Sequence, residues 1–311
     1  MNRTLRMLVR VAQTSCILLL GCSTASEVVT CTNNCWTTRA PMPTARDELG
    51  VGVVNGILYA VGGLVDAGGT IGALVSTVEA YDPVTNSWTS KASMSTARAG
   101  LGVGVVSGVL YAVGGVLGSI EAYDPVTNSW TTRAPMPTAR MNPGVGVVNG
   151  ILYAVGGYPL AGGTSTAVEA YDPVANSWTA MAPMPTARAL LGVGVLNGVL
   201  YAIGGAATTS AVEAYDPATN SWTTRAPMPT ARWSLGVGVA NGILYAVGGD
   251  TGAPVAAVEA YDPVTNSWTS MASLPTPRYG IGVGVVNGVL YAVGGHPSAG
   301  GTSAAVEAYQ P

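Results

Sequence analysis

IEAYDPVTNSWTTRAPMPTARMNPGVGVVNGILYAVGG, residues 120–157, recurs with small changes at 78–115, 168–205, 212–249 and 258–295. The double glycines that close the copies stand 42 to 52 residues apart in a chain of 311. Such a period denotes a repeat architecture, in which no unit buries its apolar face alone and neighbours share one continuous core. The composition agrees. Gly accounts for 42 residues, Phe is absent and only 9% of the chain is charged, which suits short strands and tight turns better than helices. An all-β ring of repeats forming one domain is expected.

Within each copy, Asn-Gly at 55–56, 149–150, 197–198, 241–242 and 287–288, with Ser-Gly at 107–108, separates two β-rich runs. That dipeptide is the strongest short signal for a two-residue hairpin, so GVGVV and ILYAV are paired strands, termed a and b. VEAY is a third strand, c, and Asp-Pro-Val-Thr-Asn is a turn into a fourth, d, that carries the tryptophan. ILYAV is apolar on both faces, as in a sheet covered on both sides by other sheets. The Pro-rich APMPT segments fit loops stepping from the outer strand of one sheet to the inner strand of the next.

The double glycine after strand b, Glu-x-Tyr-Asp-Pro, the Trp seven residues beyond the Tyr and the Pro-Met-Pro turn together resemble kelch repeats over about nine tenths of the chain. Six double glycines (62–63, 114–115, 156–157, 204–205, 248–249, 294–295) and six tryptophans (Trp36, Trp88, Trp130, Trp178, Trp222, Trp268) give six units. The resemblance implies a six-bladed β-propeller with four antiparallel strands per blade and a central channel. The C-terminus stops after a strand c at 306–309, and the N-terminus supplies a strand d at Trp36. One blade is therefore expected to be closed by both termini, which removes an open edge. Residues 27–36 are spaced like EAYDPVTNSW and offer a competing N-terminal strand c.

Ahead of the repeats, Arg3, Arg6 and Arg10 precede a short apolar run at 16–20 that ends in Leu-Leu-Gly-Cys at 19–22. The run is too short to span a bilayer and has the layout of an export signal. It resembles the lipobox of bacterial lipoproteins, which implies a lipid on Cys22; the alternative is an ordinary signal cleaved near Ala25. The expected division is a signal at 1–21, a tether at 22–30 and the propeller at 31–311. The expected address is the bacterial cell envelope, outer membrane or periplasm, with a secreted protein as the alternative. Cys16 then leaves with the signal, and Cys31 and Cys35 remain to pair in an oxidising compartment. A two-cysteine metal site would lack further ligands, since His296 is the one histidine; neither metal nor cofactor is expected.

Eleven of the 16 acidic side chains lie in the repeated VEAYDP-type segment, and the formal net charge is −3. No basic face for nucleic acid is evident. Each blade opens strand a with an arginine: Arg46, Arg98, Arg140, Arg188, Arg232 and Arg278. They admit two readings. One is a positive collar at the channel mouth, as in kelch propellers that bind acidic peptides; the other is pairing with the strand-c glutamates Glu79, Glu121, Glu169, Glu213, Glu259 and Glu307.

All length variation falls in the b–c loops, of 14, 4, 10, 6, 8 and 10 residues. Even steps lengthen a hairpin without flipping its faces. The b–c and d–a connections share one face of the ring. On it, the two residues after each arginine and the one after each double glycine vary. Blades two and four are bland there (Ala99-Gly100 with Val116, Ala189-Leu190 with Ala206), and blade three has Met141-Asn142 with Tyr158. Blades five, six and one hold Trp233, Asp250, Tyr279, His296, Asp47, Glu48 and, in a loop, Asp66. Aromatic surface beside carboxylates suits a glycan or a partner protein, and the leading expectation is a monomeric, non-catalytic binding module that meets the membrane through its lipid alone. The alternatives are a sugar epimerase or mutarotase of the kelch type, using Asp47, Glu48, Asp250 or His296 as acid and base, and a purely structural envelope protein. In an extended segment Asp47 and Glu48 would point to opposite sides, a poor pair for glycoside hydrolysis.

Overall fold

Every blade is built on the same register. The computed structural model describes residue 31 and residues 33–66, 72–115, 118–206 and 208–311. Blade one runs through strands a (Gly50–Val54), b (Ile57–Val61), c (Val78–Asp82) and d (Ser87–Lys91), paired antiparallel in that order. Blades two to five repeat it from Leu101–Val106, Gly144–Val148, Gly192–Leu196 and Gly236–Ala240. Strand a of each blade lies beside strand a of the next, and blade six beside blade one, so the ring closes. No helix occurs among the described residues.

Blade six takes strands a to c from Gly282–Val286, Val289–Val293 and Val306–Gln310, and its strand d is Cys35–Thr38. Trp36 stands opposite Tyr309 in that pairing. The C-terminal segment is thus the strand c of the closing blade; residues 27–30 of the competing segment lie outside the described residues. Cys31 and Cys35 form a disulfide at the start of this strand. The signal, Cys16 and Cys22 also fall outside the described residues, as does Val116.

The glycines of GVGVV are explained by the approach of the next blade. A Cβ on Gly102 would lie 2.1 Å from Val145 Cγ2, and one on Gly282 would lie 2.2 Å from Val51 Cγ2 across the closure. The valines between them point inward, and with the glycines they wall a central channel of about 290 Å³. The core lies between blades: Leu58, Ala60 and Tyr81 of blade one pack against Tyr291, Val293 and Ala308 of blade six. Burying a side chain the size of Leu58 or Val293 contributes roughly 1.5–3 kcal/mol.

Asn-x-Trp is a clasp on the preceding blade. Asn86 Oδ1 accepts from Ala40 N, and Trp88 Nε1 donates to Ala40 O, each at 2.9 Å. Asn34 and Trp36 hold Ala272 in the same way, so the N-terminal strand joins the ring by the bonds that every other blade uses. The strand-c tyrosine completes the unit, with Tyr81 Oη donating to Asn86 Oδ1 at 2.7 Å. Burial pushes the Tyr81 hydroxyl up to about 12, so it remains a donor.

Candidate functional site

The variable residues are backbone partners. In four blades the residue after the arginine faces the residue after the double glycine: Asp47 with Leu64, Met141 with Tyr158, Trp233 with Asp250, and Tyr279 with His296. Each pair prolongs the a–b hairpin past the glycines, on the face of the b–c and d–a loops.

Side-chain contacts then run across blades five, six and one. Trp233 meets Tyr279 with ring centroids 5.6 Å apart, and Tyr279 stacks on His296 at 5.0 Å. His296 Nδ1 lies 3.1 Å from Asp47 Oδ2. Asp47, Asp66, His296 and Thr302 line a cavity of about 310 Å³, and Trp233 lines a second of about 210 Å³ with Tyr158, Leu190 and Ala206. Leu190 therefore belongs to the groove beside Trp233, which corrects the view of blade four as bland. Asp250 is turned to local use, its Oδ1 accepting from Gly252 N at 2.5 Å.

Burial pushes the Asp47 carboxyl up, against the opposing pull of His296. Burial likewise raises the Tyr279 hydroxyl, and the charges of Asp47, Asp250 and Glu48 push it the same way. Around this residue, then, negative charge collects.

The second residue after each arginine does something that side-chain variability concealed. Glu48, Gly100, Asn142, Leu190, Ser234 and Gly280 all adopt positive φ, between 49° and 61°. Each donates its N–H to the carbonyl of its counterpart in the preceding blade: Gly100 to Glu48, Asn142 to Gly100, Leu190 to Asn142, Ser234 to Leu190, Gly280 to Ser234 and Glu48 to Gly280, at 2.8–3.2 Å. The result is a closed ring of six backbone hydrogen bonds around the end of the channel, over a cavity of about 110 Å³. For Glu48, Leu190 and Ser234 the left-handed conformation costs about 1–2 kcal/mol each, held by the bonds on either side. The two glycines and the asparagine were the sequence signal. The ring also corrects the picture of an extended Asp47-Glu48 segment. A left-handed turn, not strand alternation, sends Asp47 to the outer cavity and Glu48 to the mouth.

Burial raises the Glu48 carboxyl, Asp47 adds to the effect, and the Asn142 side chain opposes it. A raised folded-state value means that the charged form is disfavoured in the fold; the cost applies at neutral pH and is relieved as pH falls through that value. Glu48→Gln is expected to raise the melting temperature at pH 7, with the gain fading at about pH 4, near the ordinary glutamate value. Scanning fluorimetry at both pH values checks this, and an unchanged Tm at pH 7 would refute it.

The six arginines are not on the mouth. All are fully buried, and each meets the strand-c glutamate of its own blade, at 2.5–2.8 Å in five blades and as Arg98–Glu121 in blade two. Arg46 also donates to the carbonyls of Gly62 and Thr77, and Thr44 donates to Glu79. None of the six guanidinium groups lines the channel or mouth cavities, so these residues do not form a positive collar. No group of three or more His, Cys, Asp or Glu side chains suited to a metal occurs among the described residues.

Six four-stranded sheets around a channel define a six-bladed β-propeller. The family profile described as Kelch motif matches residues 45–95, 97–137, 139–185, 187–229 and 234–275, and the chain belongs to the kelch family. Among relatives, it is 37% identical over 98 residues to Kelch-like protein 28 of Homo sapiens, covering 30% of this chain and 17% of the relative. It is 44% identical over 66 residues to Alpha-scruin of Limulus polyphemus, covering 21% and 7%. The chain thus spans under a fifth of the length of these relatives. The solved structure titled "Structure of YjhT" superposes with a TM-score of 0.74 at 18% identity, over 86% of this chain and 95% of that one, a likeness of fold.

Proposed function

We propose that this kelch propeller is a binding module for a glycan or a partner protein, held on the b–c and d–a face over blades five, six and one. The observation that carries the reading is the unbroken chain of contacts from Trp233 through Tyr279 and His296 to Asp47, flanked by two cavities. Aromatic surface beside a carboxylate is what a ligand site needs, whereas a structural plug would bury these rings. Trp233→Ala is expected to weaken binding by about 1–3 kcal/mol without unfolding the chain. Val126→Ala, on a c–d turn at the opposite face and 92% exposed, is expected to leave affinity unchanged. Glycan-array and partner-capture titrations of both variants test this; equal losses at both positions would remove the site from this face.

The Asp47–His296 contact supports a second reading, a sugar epimerase or mutarotase, since the two groups can hold and pass a proton within a cavity. An epimerisation assay with Asp47→Asn as the control decides between turnover and binding.

We further propose export and tethering through a lipid on Cys22. The N-terminal arginines, the short apolar run and Leu-Leu-Gly-Cys support it, and the Cys31–Cys35 disulfide suits an oxidising compartment. Mass spectrometry of the membrane fraction is expected to find a diacylated mature N-terminus at Cys22; a different start or an unmodified cysteine would overturn the assignment.

A further inference from the structure

We propose that the group taken by this face is a cation, an ammonium or guanidinium presented by a basic segment of a partner protein. The proposal rests on the site reading above and adds its charge. It follows first from the inventory of the face. Asp47 and Asp250 belong to it, with Glu48 at the adjoining mouth, and the strand-a arginines of blades five, six and one are buried and committed to glutamates. Arg39 and Arg225, just past the ends of strand d, act on the core tyrosines Tyr81 and Tyr201. An anionic ligand would meet like charge here, and among the described residues that line the cavity at Asp47 the one base is His296.

The second observation is an orphaned atom. Asp47 is only 6% exposed, its Oδ2 meets His296, and its Oδ1 has no hydrogen-bond partner among the described residues. A buried carboxylate oxygen without a donor is costly, and the residue that carries it lines the 310 Å³ cavity. A neutral hydroxyl would satisfy the oxygen and leave the charge unmet. A cation answers both needs.

The third is the aromatic stack. Trp233, Tyr279 and His296 present contiguous rings beside the carboxylates, the surroundings in which ammonium and guanidinium groups are held by ring faces. Its two ends open on separate cavities, one at Asp47 and His296 and one at Trp233 and Tyr158. A free amine fills one of these; a peptide can place neighbouring side chains in both.

Panning a random dodecapeptide display library on the full chain tests the proposal, followed by fluorescence polarisation of a selected peptide and of its counterpart with norleucine in place of each lysine or arginine. Enrichment of Lys and Arg is expected, with affinity falling as salt rises and lost in the norleucine peptide. Asp47→Asn and Trp233→Ala are each expected to weaken binding on the order of tenfold. Circular dichroism verifies the fold of each variant, and Tyr279→Leu, which removes the ring between Trp233 and His296, replaces Asp47→Asn should the latter fail to fold. Selected peptides without basic enrichment, no selection at all, or equal binding of the norleucine peptide would overturn the cation. If Trp233→Ala still weakened such peptides, the site itself would stand. Basic peptides indifferent to both variants would overturn the site as well. Displacement of the peptide by equimolar butylamine would overturn the protein-borne source.

Discussion

Removal of residues 304–311 is expected to unfold the propeller under conditions where the intact chain is stable. The deletion takes strand c from the closing blade, and with it three apolar side chains that are almost wholly buried: Val306, Ala308 and Tyr309. Tyr309 alone contacts Trp36 and Tyr245 and hydrogen-bonds to Asn34. Strand d at Cys35–Thr38 loses its sheet partner, and the carbonyls of Ala304 and Val306 no longer receive Met42 N and Arg39 N. Arg278 is left buried without Glu307, a loss of about 3–5 kcal/mol for a stranded charge. Together these approach the roughly 5–15 kcal/mol that separates a folded domain from its unfolded state. Thermal melts followed by circular dichroism measure the effect. Tyr309→Ala, expected to cost about 3–5 kcal/mol, gives a graded version in a chain of full length. An unchanged melting temperature in the truncated chain would mean that the ring does not depend on this closure.

Much of this architecture was legible because the repeat reports it six times. Asn-Gly marks five of the six a–b hairpins and Ser-Gly the sixth, Asp-Pro marks each c–d turn, and the missing tryptophan strand at the C-terminus meets the extra one at Trp36. The pairing of arginine with glutamate could be posed from equal numbers, but its choice over a collar required burial, a property of the packed ring. The mouth was hidden for a different reason. Its bond ring is made by backbone in the left-handed conformation, so Glu48, Leu190 and Ser234 differ as side chains while acting alike as peptides. Trp233, Tyr279, His296 and Asp47 stood out as departures from the repeat, and they do meet. Leu190 did not stand out, because its place beside Trp233 follows from the curvature that brings blades four and five together and not from any motif.

The buried ion pairs make a sharper test of what the repeat conserves within itself. In blade four, burial pushes the Arg188 guanidinium below its usual value while Glu213 pulls it back. Arg188 also donates to the carbonyls of Gly204 and Ala211 at 3.0 and 2.9 Å, and Thr186 donates to Glu213 at 2.7 Å. Six such pairs bury twelve charges, which is stabilising only while both partners are present. Glu213→Leu is expected to cost about 3–5 kcal/mol, since it leaves a guanidinium with no access to water and no counter-charge. The double variant Arg188→Met, Glu213→Leu is expected to recover most of that loss, because an apolar pair of similar size carries no desolvation penalty. Urea unfolding midpoints of the single and double variants, compared at equal m-value, give the coupling between the two positions. Recovery would show that the charge pair specifies the blade geometry more than it stabilises it. Equal losses in both variants would instead mean that the double variant exchanges a stranded charge for the carbonyls of Gly204 and Ala211, left without the donor that Arg188 provides.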